Sequence, residues 1–435
     1  MSAVEPRAYA EVAPKVAEDY SGRCAMSMRS SGKMQTQRLN KPCPRDMQWR
    51  GTPWLFLSLD DGRTTLKNRN RRLAFVLFAA ALSYPGAIFA QTTHANPPAQ
   101  TWATHEGDFV IHNFQFNDGE TLPELRLHYT TLGAPQRDAS GRVANAVLIM
   151  HGTGGTGHQF LRPVFAGVLF GPGQLLDSSK HFIILPDDIG HGKSSKPSDG
   201  MRTKFPHYDY ADMVKGEYDL VTEGLHVNHL RLVTGTSMGC MHTWMWGETY
   251  PKFMDALMPL ACLPIEIAGR NRMTRKMIMD LIKDDPAWDG GNYKTEPVNG
   301  LRAALDVEFL MVSTPLYWQK EYPTAAAADA FLARHLDSAL KSVDANDLLY
   351  AFDASRTYNP APNLGKIQAP LLAINSADDF VNPPELHIDE QLVHRVPHSR
   401  FVLLPITSET RGHGTHTLAA VWKNYLAQLL AESRR

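Results

Sequence analysis

The sequence predicts an α/β protein with a mostly parallel central sheet and helices on both of its faces. Three observations carry that expectation. Short β-type runs alternate with helical patterns from residue 101 onward. Several of those runs are apolar throughout, as strands buried on both faces must be. One of them, LRLVTGTS (230–237), leads straight into a glycine-flanked turn and a helix. Alternation of this kind joins parallel strands through helical crossovers.

The first hundred residues stand apart. Residues 1–68 show neither helical nor strand periodicity and read as a non-native or disordered extension. Arg69, Arg71 and Arg72 then lead into the one long apolar run, LAFVLFAAALSYPGAIFA. A basic start, an apolar middle, the Pro85–Gly86 breaker and Ala90 before Gln91 make 69–90 a secretory signal, cleaved near Ala90. The expected location is therefore periplasmic or extracellular, with no stable membrane span after processing. The alternative is an anchor formed by 73–90, a run that Pro85 and Gly86 interrupt. Residues 91–105 read as a linker.

The core follows. DFVIHNFQF (108–116) and ELRLHYTTLG (124–133) alternate apolar and polar residues, with NDGE between them. They predict an antiparallel pair at a sheet edge. NAVLIMHG (145–152), HFIILPDD (181–188), LRLVTGTS, DALMPLAC (255–262), APLLAINS (369–376) and SRFVLLPI (399–406) supply the other strands. Helical patterns cover 210–227, 238–251, 383–396 and 415–432. The alternation breaks at 265–365, which is helical and Met-rich. That stretch predicts a cap over the carboxyl ends of the strands, dividing the core into 106–264 and 366–435.

Composition narrows the function. Of 435 residues, 43% are hydrophobic, ample for a large core, and a formal net charge of -1 gives no pull toward nucleic acid. The four cysteines, Cys24, Cys43, Cys240 and Cys262, are too few and scattered for a disulfide scaffold. Cys240 and Cys262 fall in the core and read as two buried thiols; export would allow them a single disulfide. No Cys/His spacing suggests a metal site, and no cofactor is expected.

The chemistry centres on Gly235-Thr236-Ser237-Met238-Gly239. Gly-x-Ser-x-Gly between a buried strand and a helix is a nucleophile elbow. It lifts the Ser237 hydroxyl above the sheet, where the Met238 N–H can stabilise an oxyanion. A serine at its ordinary pKa needs a base. His413, in the loop RGHGTH after the last strand, is favoured over His416. The base needs an acid to fix its tautomer. Asp379 is favoured over Asp378, both at the end of the strand LLAINS, so the cap precedes the acid-bearing strand. The order Ser, Asp, His along the chain is that of the α/β-hydrolase fold. The loop His151-Gly152-Thr153-Gly154-Gly155 follows the first central strand and offers the Thr153 N–H as a second oxyanion donor.

These residues resemble the homoserine O-acetyltransferase family of the α/β-hydrolase superfamily, from about residue 120 to 425. GTSMGCMHTWMWGETYP resembles the family's elbow and the helix after it. DPAWDGGNY followed by PVNGLR resembles a specific segment of its cap. NSADDFVNPPE and GHG match the acid and histidine loops. The resemblance implies a Ser237–His413–Asp379 triad, a ping-pong acyl-enzyme mechanism and a homodimer built through the cap. Thr236 and Cys240 stand where the transferases usually carry glycine, and GHGTHT replaces their Gly-His-Asp. These departures surround the acyl and acceptor sites. An exported enzyme also meets water more readily than homoserine or acetyl-CoA. Ester hydrolysis is therefore expected first, on a small-molecule ester or acyl donor. Acyl transfer from acyl-CoA to an alcohol is the alternative, and a non-catalytic binding relative the second.

Overall fold

A computed structural model describes residues 102–433. The extension, the signal and most of the linker lie outside the described residues. No described helix is long and apolar enough to cross a membrane.

Eight strands form one sheet in the order β1-β2-β4-β3-β5-β6-β7-β8. β1 (Thr104–Gln115) pairs antiparallel with β2 (Thr121–Leu132) at the edge, and β2 pairs antiparallel with β4 (Phe182–Pro186). β1 begins two residues inside the stretch expected to be linker: Thr104 and His105 already pair with Leu132 and Thr131. The other strands, β3 (Ala146–Met150), β5 (Leu232–Thr236), β6 (Leu257–Leu260), β7 (Leu371–Ser376) and β8 (Ser399–Leu404), run parallel to β4.

The central strands are buried on both faces, which is why their sequences do not alternate. On β3, Ala146, Leu148 and Met150 join the core on one side, and Val147 and Ile149 that on the other. The first core is covered by α2 (Tyr210–Asp219) and α3 (Met238–Thr249), whose Trp244 and Trp246 are fully buried. The second is covered by the short α1 (Ala166–Leu169) and by α10 (Ala419–Glu432), with Trp422 at its centre. Burying one such aliphatic side chain contributes about 1.5–3 kcal/mol. An alanine at Leu148 or Ile149 therefore weakens one core without touching the other.

Helix ends follow local chemistry. Asp209 caps α2 by accepting from Ala211 N and Asp212 N, while Asp212 reaches back to the Asp209 amide. The helical pattern at 210–227 stops early, because α2 passes into a wider π-type turn at Leu220–Gly224. The pattern at 383–396 is not one helix. It breaks at His387 (φ 51), leaving the five-residue α9 (Ile388–Leu392).

Between β6 and β7 the chain forms α4 (Gly269–Lys283), α5 (Val298–Val312), α6 (Pro315–Glu321), α7 (Ala325–Ala339) and α8 (Ala345–Asp353). Arg275 of α4, Glu308 and Met311 of α5, and Phe352 of α8 line one cavity with Ser237. These helices therefore roof the carboxyl ends of the strands.

The two core cysteines are not thiols. Cys240, on the first turn of α3, is disulfide-bonded to Cys262, just past β6. β5 and β6 are adjacent parallel strands, so the turns leaving them lie side by side.

Candidate active site

Ser237 sits where β5 ends and α3 begins. Its backbone has φ 56 and ψ -107, a left-handed conformation that a residue with a side chain adopts only when its surroundings enforce it. Two glycines make the turn feasible. A Cβ on Gly235 would collide with the backbone of Gly239, and one on Gly239 with the carbonyl of Met150. The strained turn leaves Ser237 part-exposed at the floor of a cavity of about 190 Å³.

The structure brings the expected base and acid to this serine. His413 Nε2 lies 2.9 Å from Ser237 Oγ. On the far side of the ring, Nδ1 lies 2.9 Å from Asp379 Oδ2. An ionised carboxylate only accepts, so Nδ1 carries the proton and Nε2 is free to accept from the serine. Asp379 is fully buried. Burial alone would raise its pKa, but His413 and the amides of Asn382 and Val381 outweigh that and hold the carboxyl below its usual range.

The neighbouring alternatives do other work. Asp378 accepts from Ser376 Oγ at 2.5 Å and from Gly412 N at 3.0 Å. It thereby braces the loop that carries His413. His416 packs edge-on against His413, with ring centroids 4.9 Å apart. Burial, then the neighbouring His413, push its pKa down to about 3.

Both expected oxyanion donors flank the serine. Met238 N opens α3, where an amide has no intrahelical acceptor. Thr153 stands on the loop after β3, beside Gly152, whose added Cβ would come within 3.3 Å of Ser237 Cβ. The loop is anchored from behind. His151 Nε2 accepts from Asp188 N at 3.1 Å, so its Nδ1 donates to Gly152 O at 2.8 Å. His151 O accepts from Gly239 N at 2.9 Å, tying the loop to the elbow. His191 Nε2 lies 2.8 Å from Thr153 O.

Beneath this layer is a second group of acids and imidazoles. Asp188, Glu217 and His242 place their ligating atoms within 4.8 Å of one another, all buried. They are the one set among the described residues close enough to hold a metal ion. Their chemistry fits shared protons better. His242 Nδ1 donates to Glu217 Oε1 at 2.8 Å, and Trp246 Nε1 donates to Glu217 Oε2 at 2.5 Å. Burial pushes Glu217 up to about 7 and, with the charge of Glu217, pushes Asp188 well above its usual range.

Two cavity residues escaped the sequence reading: Arg275 and Glu308. Each interrupts the apolar stripe of a cap helix, in Arg275-Ile278-Met279-Ile282 and Leu301-Ala304-Leu305-Glu308. A charge at a core position of an amphipathic helix was the available signal. Arg275 is 2% exposed, with Nε on Asn271 Oδ1 and Nη1 on Ser355 Oγ.

Residues 145–405 match the family model described as the alpha/beta hydrolase fold. The chain belongs to the alpha/beta hydrolase fold family, and it is an enzyme. Within the family it is a divergent relative of the homoserine O-acetyltransferases. A homoserine O-acetyltransferase of Pelobacter propionicus is 29% identical over 313 residues, covering 63% of this chain and 82% of that one. A probable acyltransferase of Methanothermobacter thermautotrophicus is 29% identical over 279 residues, with 64% and 84% covered. Among solved structures, esterase E22 superposes with a TM-score of 0.67 at 20% identity, over 75% of this chain and all of that one.

Proposed function

We propose that the protein hydrolyses an ester of a small molecule through an acyl-enzyme on Ser237. The observation that carries this is the hydrogen-bonded line Ser237 Oγ–His413 Nε2 and His413 Nδ1–Asp379 Oδ2, open to a cavity at its serine end.

The steps follow from that line. Ser237 Oγ attacks the ester carbonyl carbon, and its proton passes to His413 Nε2. The carbonyl oxygen becomes an oxyanion facing the N–H groups of Met238 and Thr153, each worth about 3–4 kcal/mol in comparable sites. The C–O bond to the alcohol breaks, and His413 returns the proton to the departing oxygen. Water then loses a proton to His413, attacks the acyl carbon and releases the acid. Asp379 remains ionised and stabilises the imidazolium formed in each half-reaction.

Acyl transfer to an alcohol uses the same residues, with an alcohol in place of water. The similarity to homoserine O-acetyltransferases supports that second reading. The Cys240–Cys262 disulfide supports the first, because such bonds persist in oxidising compartments outside the cytosol. There water is the abundant acceptor. The test compares p-nitrophenyl acetate hydrolysis with acetyl-CoA turnover in the presence and absence of homoserine. Hydrolysis without homoserine is expected; CoA release that requires homoserine reverses the ranking.

A further inference from the structure

We propose that Val381 restricts the protein to short acyl groups by walling a second, apolar cavity off from Ser237. This rests on the acyl-enzyme reading of Ser237 and names the acyl class for it: acetyl-sized groups, with hexanoyl and longer chains turned away.

Two cavities back onto this one side chain. The first, about 190 Å³, holds Ser237 and His413. The second, about 230 Å³, is bounded by α3, the start of α4 and the segment 381–388. Met241, Leu263, Ile265, Ile267, Leu386 and Ile388 make its lining largely apolar. Among the described residues, Val381 alone lines both cavities. Apart from Asn382, which donates to Asp379, the rest of that lining has no part in the steps at Ser237.

The wall is held from several directions. Val381 N donates to Asp379 Oδ1 at 2.7 Å, and Asn375 Nδ2 donates to Asn382 O at 2.7 Å. From the cap, Arg270 Nη1 donates to Phe380 O at 2.7 Å and Asn271 Nδ2 to Val381 O at 3.4 Å. Asn271 also accepts from Nε of Arg275, which lines the Ser237 cavity. The backbone that carries Val381 is therefore fixed. A buried β-branched side chain has little freedom at χ1, so this partition does not swing aside.

The acyl half of the ester is the half that meets it. A third cavity, about 580 Å³, joins the Ser237 cavity at a different wall, formed by Thr153, Gly154, Gly155, Glu308 and Val312. The alcohol must depart once the acyl-enzyme forms, and the wider space gives it a way out. The acyl group stays bonded to Ser237 in the smaller space, beside Arg275, Met311 and Phe352. A hexanoyl chain, four methylenes longer than acetyl, needs the second cavity, and Val381 stands between. Val381→Ala removes two methyl groups and joins the cavities. Each methylene then buried raises kcat/KM by up to about fourfold.

The test uses two matched pairs on the full chain. One pair is p-nitrophenyl acetate and hexanoate, compared by kcat/KM. The other is ethyl p-nitrophenyl methylphosphonate and pentylphosphonate, compared by the rate of covalent labelling. Labelling forms the Ser237 Oγ–P bond and expels p-nitrophenolate, so it needs the nucleophile but no acceptor. In the unaltered protein the short member of each pair is expected to lead by at least about tenfold. In Val381→Ala both ratios fall at least about tenfold. Adding Ile265→Phe, which fills the second cavity, restores them. All are ratios, so a partly unfolded preparation does not alter them. Equal rates in the unaltered protein, ratios that Val381→Ala leaves in place, or ratios that Ile265→Phe does not restore overturn the proposal. Labelling with the expected ratios but no ester turnover upholds the wall and sinks the hydrolase reading. Esters hydrolysed without regard to chain length do the reverse, and failure of both phosphonates to label Ser237 removes the acyl-enzyme and the wall together.

Discussion

Two acid–imidazole groups lie one above the other in this molecule. At the carboxyl edge of the sheet, Asp379 and His413 stand in a hydrogen-bonded line with Ser237. Below them, Asp188, Glu217 and His242 are sealed in the core. The residue types are alike, and so are the hydrogen-bond lengths: 2.9 Å for His413 Nδ1–Asp379 and 2.8 Å for His242 Nδ1–Glu217. The pKa directions are opposite. The amides and imidazole around Asp379 overcome its burial and keep it low, whereas burial wins at Glu217 and carries it to about 7. What distinguishes the two pairs is the set of donors around the acid and a route from the imidazole to a cavity. His413 has that route, and His242 is fully buried.

The comparison can be broken most decisively at the serine. Ser237→Ala should lower ester turnover by a factor on the order of 10⁴–10⁶ and abolish labelling by a fluorophosphonate probe. Labelling that persists removes Ser237 from the mechanism. Asp379→Asn should cost about 10⁴ in kcat with little change in KM, since the amide favours the wrong imidazole tautomer. Equal losses from Asp378→Asn would move the acid by one residue. Glu217→Gln should leave labelling intact and lower stability by about 1–3 kcal/mol, read by urea unfolding, because a buried donor on His242 or Trp246 loses its acceptor. A loss of labelling in a still-folded Glu217→Gln protein would make the lower group part of the machinery.

The smallest effect distinguishes the two groups by sign. The folded pKa of Glu217, about 7, lies above its ordinary 4.5. Its contribution to stability is complete below about 4.5 and is lost as pH rises toward 7. Asp379 lies below its ordinary 3.8, so its contribution is present above that value and is lost as pH falls through the folded pKa. The melting temperature of the unaltered protein relative to Glu217→Gln should therefore fall between pH 4.5 and 7. Relative to Asp379→Asn it should fall only below about pH 4. The same slope in both pairs would erase the contrast.

Much of this arrangement is legible in the sequence because it is local. A strand, a Gly-x-Ser-x-Gly turn and a helix lie within about twenty consecutive residues, and the histidine and acid loops follow their strands directly. The choice between Asp378 and Asp379 was harder. Adjacent carboxylates share nearly every sequence cue, and the turn after β7 decides which one faces His413 and which one takes the Gly412 amide. The lower group was illegible: Asp188, Glu217 and His242 lie on three separate elements that only the fold brings together. Glu308 and Arg275 were hidden in the cap, where helices look alike until their packing sets which stripe faces the serine. The disulfide stood only as the alternative to two buried thiols, because the closeness of its cysteines comes from the pairing of β5 with β6.

That cross-link closes a ring of chain that starts three residues after the nucleophile. Cys240 and Cys262 are 22 positions apart, and the segment between them holds nearly all of α3 and the whole of β6. A loop of that size removes about 3 kcal/mol of unfolded-chain entropy. The same polypeptide therefore exists as two chemical species, and the redox history of a preparation is part of its identity. Material made in a reducing host begins as the dithiol, without the cross-link between the first turn of α3 and the end of β6. Thermal melts with and without a thiol reductant would show the two species side by side.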